Sequence, residues 1–294
     1  MAIDIMMPFY GDVAQFILAV DSVRSQRGEW RLVILDDVYP DAEPRRYVEA
    51  LADPRIVYVV NERNLGISGN FQRSIELAEA EFTVIMGCDD IMLSGYVIRM
   101  TALISQFPDA AYFQPGVATI DDNGIRSSPL GDRVKSLFRP KGKHPARLSG
   151  EKLAASLLQG NWTYFPSLCW RTDVLAAHGF REEFRIVLDL ALQLSIIEDG
   201  GVLVLDDTVV FEYRRHSASA SSWAGSGSGR FKEEKELFRQ TAETMRSKGW
   251  NKASRAARVH LTSRLNALTQ LPGAIVGRES EAVKSLSSHA FSRG

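Results

Sequence analysis

Two pairs of adjacent acids are placed where they could do chemistry. Asp36-Asp37 follows the run Arg31-Leu32-Val33-Ile34-Leu35, and Asp89-Asp90 follows Phe82-Thr83-Val84-Ile85-Met86 after two small residues. Each run reads as a strand, so each pair sits at a strand's carboxyl end. Paired carboxylates repel phosphate unless a divalent cation stands between them. Mg2+ or Mn2+, hard cations that take oxygen ligands, would join Asp89 and Asp90 to phosphate oxygens. An Asp pair at a strand end also serves as a turn or a helix cap, and one pair alone does not decide.

The elements that must position these acids alternate over residues 1–115 between short apolar runs and helical patterns, the signature of an open, mainly parallel α/β sheet. Ile3 to Met7 is a first strand closed by Pro8. A helix from about Asp12 to Ser25 turns Phe16, Ile17, Val20 and Val23 toward the sheet. A polar helix near Pro44 to Ala52 precedes a third strand, Arg55 to Val60. An Asn- and Gly-rich loop runs from Asn61 to Gly69, and Asn70 to Ala80 is helical. Open α/β sheets bind ligands outside the carboxyl ends of their strands, where both acidic pairs lie.

The middle, roughly Ala111 to Val210, is less regular, and a second half is read over residues 116–229. Tyr112-Phe113-Gln114 reads as a strand, Asp121 to Gly124 as a turn, and 126–148, polar and basic with Pro and Gly, as a mobile loop. Glu151 to Leu158 and Asp189 to Ile197 are helical, and Gly201 to Leu205 is a strand. Trp162, Tyr164, Phe165 and Trp170 concentrate aromatics in nine positions, as a ligand-stacking wall or as core. Ser217 to Gly229 is a low-complexity, flexible stretch. From residue 230 to 294 the balance shifts to 13 Lys/Arg against 6 Asp/Glu, and the region is helical. Lys252, Arg255, Arg258 and Arg264 accompany Ala256, Val259, Leu261, Leu265 and Leu268 in a basic amphipathic helix. Such a helix lies on an anionic membrane surface, or packs on the body or a second subunit.

Over 294 residues, 35 basic and 36 acidic side chains leave a net charge of −1, which provides no global field for nucleic acid. Cys88 and Cys169 lack metal-site spacing and read as free buried thiols. The opening MAIDIMMPFY has no signal-peptide pattern and no apolar stretch is long enough to span a bilayer, so a cytoplasmic chain is expected, peripheral to the membrane's inner face if the basic helix meets lipid. G-x-G-x-x-G after the first strand, a P-loop and G-x-S-x-G are all missing.

The order of features over about residues 3–220 resembles the inverting family-2 glycosyltransferases. Ile3 to Tyr10 is similar to that family's first strand and Pro-x-Tyr turn, and Val33 to Asp37 to its V-x-V-D-D segment. Asn64-Leu65-Gly66-Ile67-Ser68-Gly69, with Arg73 and Ala78, resembles the stretch lining the nucleotide. Ile85 to Met92 resembles the metal-binding D-x-D-D segment, with Gly87 in place of its first Asp. His178-Gly179-Phe180, Val187 to Leu194 and Tyr213-Arg214-Arg215-His216-Ser217 follow in the family's order.

The resemblance implies a GT-A fold: a Rossmann-like, mainly parallel sheet flanked by helices, with a helical C-terminal extension. It implies a nucleoside-diphosphate sugar donor contacted by Pro8, Phe9, Tyr10, Asp36, Asp37, Asn64, Gly66, Arg73, Cys88, Asp89 and Arg214. A Mn2+ or Mg2+ ion would be held by Asp89, Asp90 and His216, and Asp189 would take the proton of the acceptor hydroxyl. Arg214, Arg215 and the Ser/Gly stretch would close over the diphosphate. Uracil or thymine is the favoured base, since an Asp accepts its N–H. Four alternatives stand beside these roles: Tyr10 as a core aromatic, Arg73 as surface charge, Asp189 as an N-cap, and the whole chain as a non-catalytic nucleotide-sugar scaffold. A nucleotidyltransferase would carry a Gly-rich, Lys-bearing loop after the first strand, and none is present.

Overall fold

The computed structural model describes residues 2–215, 228–277 and 280–291. The first half follows the expected alternation: β1 (Ile3–Phe9), α1 (Val13–Arg24), β2 (Trp30–Asp36), α2 (Glu43–Leu51), β3 (Ile56–Val60), α3 (Gly66–Glu76) and β4 (Phe82–Ile85). These strands pair in parallel in the order β3-β2-β1-β4. Their apolar runs are continuous because both faces are covered. Ile3, Ile5, Met7 and Phe9 alternate onto the face packed by α1, while Met6 points to the other.

Two boundaries differ from expectation. β1 continues through Pro8 to Phe9, paired with Leu35 and Asp36. Met6 points its carbonyl at Met86 of the β4 side; two residues on, Pro8 faces that same side past the last β1–β4 pair, so its missing N–H costs no ladder bond. α3 starts at Gly66 rather than Asn70, because the Asp37 carboxylate reaches across from β2 to accept its first N–H groups.

The second half adds β5 (Ile91–Met92), α4 (Tyr96–Gln106), β6 (Tyr112–Ile120), β7 (Arg126–Ser127), α5 (Leu130–Phe138), β8 (Ala146–Leu148), α6 (Gly150–Gly160), β9 (Cys169–Arg171), α7 (Thr172–His178), α8 (Leu188–Glu198) and β10 (Leu203–Arg214). β9 lies antiparallel between β4 and β6 and joins the halves into one sheet, extended by β6-β10-β5. Residues 126–148 are not one loop. They hold β7, α5 and β8, pinned by Arg139 on Asp207, by Phe138 against Gly160 and by Asp132 on Arg215.

Beyond residue 228 come α9 (Ser228–Ser247), α10 (Asn251–Val259), α11 (Leu261–Val276) and α12 (Ser280–Phe291). Leu237, Phe238 and Met245 of α9 and Ala253, Ala256 and Ala257 of α10 join the core on the α6/α8 face of the sheet. α11 and α12 close a small separate cluster with Phe231. The single basic helix expected here is two helices, broken at His260, whose backbone is left-handed (φ 30°) and whose buried ring stacks on Phe238 at 5.0 Å. No helix of the described residues is long and apolar enough to cross a membrane.

Candidate active site

The carboxyl ends of β1, β2 and β4 lie side by side, since Phe9 pairs with Asp36 and Met86 donates to the Met6 carbonyl. Phe9 is not a ligand contact: alternation turns it into the core, fully buried between Phe16 at 4.3 Å and Tyr39 at 4.9 Å. Tyr10, one residue on, faces out. It is 58% exposed with only an edge contact to Tyr39, so it is no core aromatic. Half-buried Pro8 lies within β1, two residues before Tyr10. Cys88 packs beside Gly11, and burial, then the charge of Asp89, pushes its thiol up to about 12, so a thiolate is not part of this site. Cys169 is a free thiol within the core.

Asp36 and Asp37 are both buried but differently employed. Asp37 accepts from Asn61 Nδ2 (2.9 Å) and from the backbone N–H of Leu65 (2.7 Å) and Gly66 (2.8 Å). Asn64 bridges the same corner, donating to the Asp37 carbonyl and accepting from Gly66, and Asn70 accepts from Asn61 and donates to the Leu35 carbonyl. Sequence reading missed Asn61 and Asn70, although their amides are what hold Asp37. Among the described residues the Asp36 carboxylate accepts only the Tyr39 N–H and the Tyr58 hydroxyl. A carboxylate has about four lone-pair sites, which leaves acceptor capacity on Asp36. Arg73 pairs with Glu76 at 2.9 Å on the exposed side of α3.

At the β4 end, the Asp90 carboxylate is buried. Oδ1 accepts the Arg214 N–H at 2.8 Å and Oδ2 has no partner among the described residues. Burial, then the neighbouring Asp89 charge, pushes Asp90 well above the ordinary carboxylate range. Both carboxylates turn into the space that a side chain at Gly87 would fill. Two adjacent carboxylates, one with an orphaned oxygen, suit a hard divalent cation. Among the described residues no group of three or more His, Cys, Asp and Glu converges, and His216 lies outside them.

Arg214 does not reach for a diphosphate. It is buried, with Nε on the Asp89 carbonyl and a terminal nitrogen on those of Asp121 and Asp122, stapling the acidic segment to the turn after β6. Arg215 is also held, bonded to Asp132 of α5 at 2.5 Å and lying 4.9 Å over the Tyr213 ring. Residues 217–227 of the Ser/Gly stretch expected to close with them lie outside the described residues, and Ser228 and Gly229 belong to the first turn of α9.

Asp189 lies in the first turn of α8 but is not its N-cap, which is Val187. Its Oδ2 accepts from Asn161 Nδ2 at 3.2 Å. Asn161 ends α6 with a left-handed backbone (φ 33°), and Thr163 and Gln193 continue the chain of bonds from it. An Asn just past a helix is a C-cap signal, which could have marked the turn but not its partner. Burial pushes the Tyr213 hydroxyl up; Arg215 opposes, and the charges of Asp90, Asp89 and Asp189 add to the rise. Trp162, Phe165 and Trp170 are core. Of the four aromatics only Tyr164 faces this region, 5.4 Å from the Tyr213 ring and bonded to Asp132. The N–H of Phe180 donates to Gln72, tying the His178-Gly179-Phe180 segment to α3.

The sequence profile of glycosyl transferase family 2 matches residues 4–168. The putative colanic acid biosynthesis glycosyl transferase WcaA of Escherichia coli is 38% identical over 90 residues, 30% of this chain and 32% of that protein. The chain spans less than two thirds of the length of the curated relatives it matches. S. aureus TarS 1-349 in complex with UDP-GlcNAc superposes with a TM-score of 0.64 at 15% identity, covering 99% of this chain and 91% of that one. The mannosyltransferase PcManGT from Pyrobaculum calidifontis in complex with GDP-Man and Mn2+ gives 0.59 at 13% identity, covering 99% and 86%. These likenesses carry the GT-A fold. With the profile spanning more than half of the residues, on a sheet whose strand ends gather the acids described, the chain belongs to glycosyl transferase family 2.

Proposed function

We propose that this chain is an inverting glycosyltransferase that moves a sugar from a UDP- or dTDP-sugar to a hydroxyl of a glycan, lipid-linked or small-molecule acceptor. The observation that carries the proposal is the buried Asp90 carboxylate, with one oxygen that has no partner among the described residues, turned with Asp89 into the space at Gly87. Asp89 and Asp90 would hold Mn2+ or Mg2+, with His216 as a further ligand. When bound, the cation acts as a Lewis acid toward the departing diphosphate.

The chain's own residues supply the rest. Tyr10 offers an exposed ring face to the base. Asp36 retains the lone pairs to accept a uracil or thymine N–H, whereas Asp37 is spent on α3. Asp189 takes the proton as the acceptor oxygen attacks the anomeric carbon on the face away from the diphosphate, with Asn161 fixing the direction of its carboxylate. Tyr164 and Tyr213 form the aromatic side of the acceptor space. The UDP-GlcNAc bound by TarS and the Mn2+ of the mannosyltransferase support the donor class and the cation. The relative named for colanic acid supports polysaccharide assembly.

Release of nucleoside diphosphate from a panel of UDP-, dTDP- and GDP-sugars, with Mn2+, Mg2+ or EDTA, tests the reading. We expect turnover with a uridine or thymidine donor and a divalent cation, and its loss in EDTA. A donor that stabilises the protein yet is never turned over, in wild type and Asp189→Asn alike, would establish the scaffold reading instead.

A further inference from the structure

A surface helix ordinarily turns its apolar side chains inward and its polar ones outward. α11 does the reverse. Ala267 and Ala274 are its buried residues, packed in the cluster with Phe231, Leu286 and Ala290. Leu261, Leu265, Leu268, Pro272 and Val276, at spacings of three or four, form one stripe on the opposite side and are all exposed, Leu261 by 53% and Val276 by 84%. α10 in front of it buries alanines and exposes Lys252, Arg255, Arg258 and Val259. Between Glu243 and Glu279 the sequence holds seven Lys/Arg and no Asp or Glu.

We propose that α10 and α11 dock this chain on an anionic lipid bilayer, with α11 lying in the plane of the interface, its leucine stripe among the acyl chains and the α10 cations on lipid phosphates. The charge pattern selects this occupant. A two-fold contact with a second copy would set these cations against themselves with no acid on the segment to pair them, whereas an anionic leaflet attracts every one. α11 has 16 residues, too few to span, and its exposed apolar stripe next to the cations of α10 suits a contact in the plane of the interface. The contact lies on the C-terminal helices and is independent of the transfer chemistry.

Flotation of the full chain with vesicles of phosphatidylcholine, alone or mixed with phosphatidylglycerol, provides the test, with light scattering in parallel. The expected result is recovery with the phosphatidylglycerol vesicles only, falling steeply as salt rises from about 0.1 M to about 1 M and the screening length shrinks from about 10 Å to about 3 Å. The pairs Leu265→Glu/Leu268→Glu and Arg255→Glu/Arg258→Glu should each weaken partitioning by at least about tenfold, with melting temperature unchanged. Equal recovery on neutral vesicles, or none on either, overturns the proposal. So does a dimer that Leu265→Glu renders monomeric while vesicles are ignored.

Discussion

A Cβ on Gly87 would stand 2.5 Å from Asp90 Oδ2 and 2.7 Å from Asp89 Oδ1. The glycine is therefore the room into which both carboxylates fold, and it stands where the family-like pattern has an acid. Gly87→Asp would not restore a ligand but evict two. For Gly87→Ala and Gly87→Asp we expect a Mn2+ affinity at least about tenfold weaker by calorimetry, with stability within about 1 kcal/mol of wild type because the acids can swing outward. Tighter metal binding by Gly87→Asp would refute this account of the segment.

Asp189→Asn removes the proposed base and leaves the donor side untouched. General-base removal costs roughly 10²–10⁴-fold in rate, so kcat should fall by that order while the donor-induced rise in melting temperature persists. Asn161→Ala only frees the carboxylate to rotate, and a loss of about tenfold in kcat at constant donor KM is expected. Equal effects of both variants on donor KM would place Asp189 in donor binding.

Asp37 is an internal cap more than a ligand contact. Asp37→Ala removes the acceptor of the Leu65 N–H and leaves the Gly66 N–H only Asn64 Oδ1 and the Asn61 amide only Asn70 Oδ1. Urea unfolding should show a loss of about 2–4 kcal/mol. Unchanged stability with lost nucleotide binding would reverse the assignment.

His289 makes the C-terminal helices acid-sensitive. Burial holds its imidazole down to about 4; Glu234 opposes this, and His260, Arg264 and Lys235 reinforce it. Unfolded, the ring titrates near about 6.5, so between these values the unfolded chain binds more protons. The stability is whole above about pH 6.5 and is lost as pH falls through the folded value. Urea midpoints measured across that window should decline in the wild type and flatten in His289→Gln.

Local signals in the sequence were enough for the parallel half of the sheet. An apolar run buried on both faces looks the same wherever it lies, and an acid that follows it falls at the strand's carboxyl end. The same alternation separates Phe9 from Tyr10, yet the family-like motif named both, and only the packing of Phe9 on Phe16 and Tyr39 divides their roles.

Sequence by itself determined the order of strands and helices up to β4, the acids at their ends and the basic bias of the last helices, because each follows from residues near in the chain. Tertiary structure decided what those residues touch. α5 arises from a polar stretch only because Phe138 meets Gly160 and Asp132 meets Arg215. Arg214 is buried on backbone carbonyls rather than open to phosphate, and the leucines of α11 face outward since its alanines pack inward. The physical reason is distance along the chain: a hydrogen bond across 125 residues, such as Arg214 to the Asp89 carbonyl, has no periodicity or spacing to announce it.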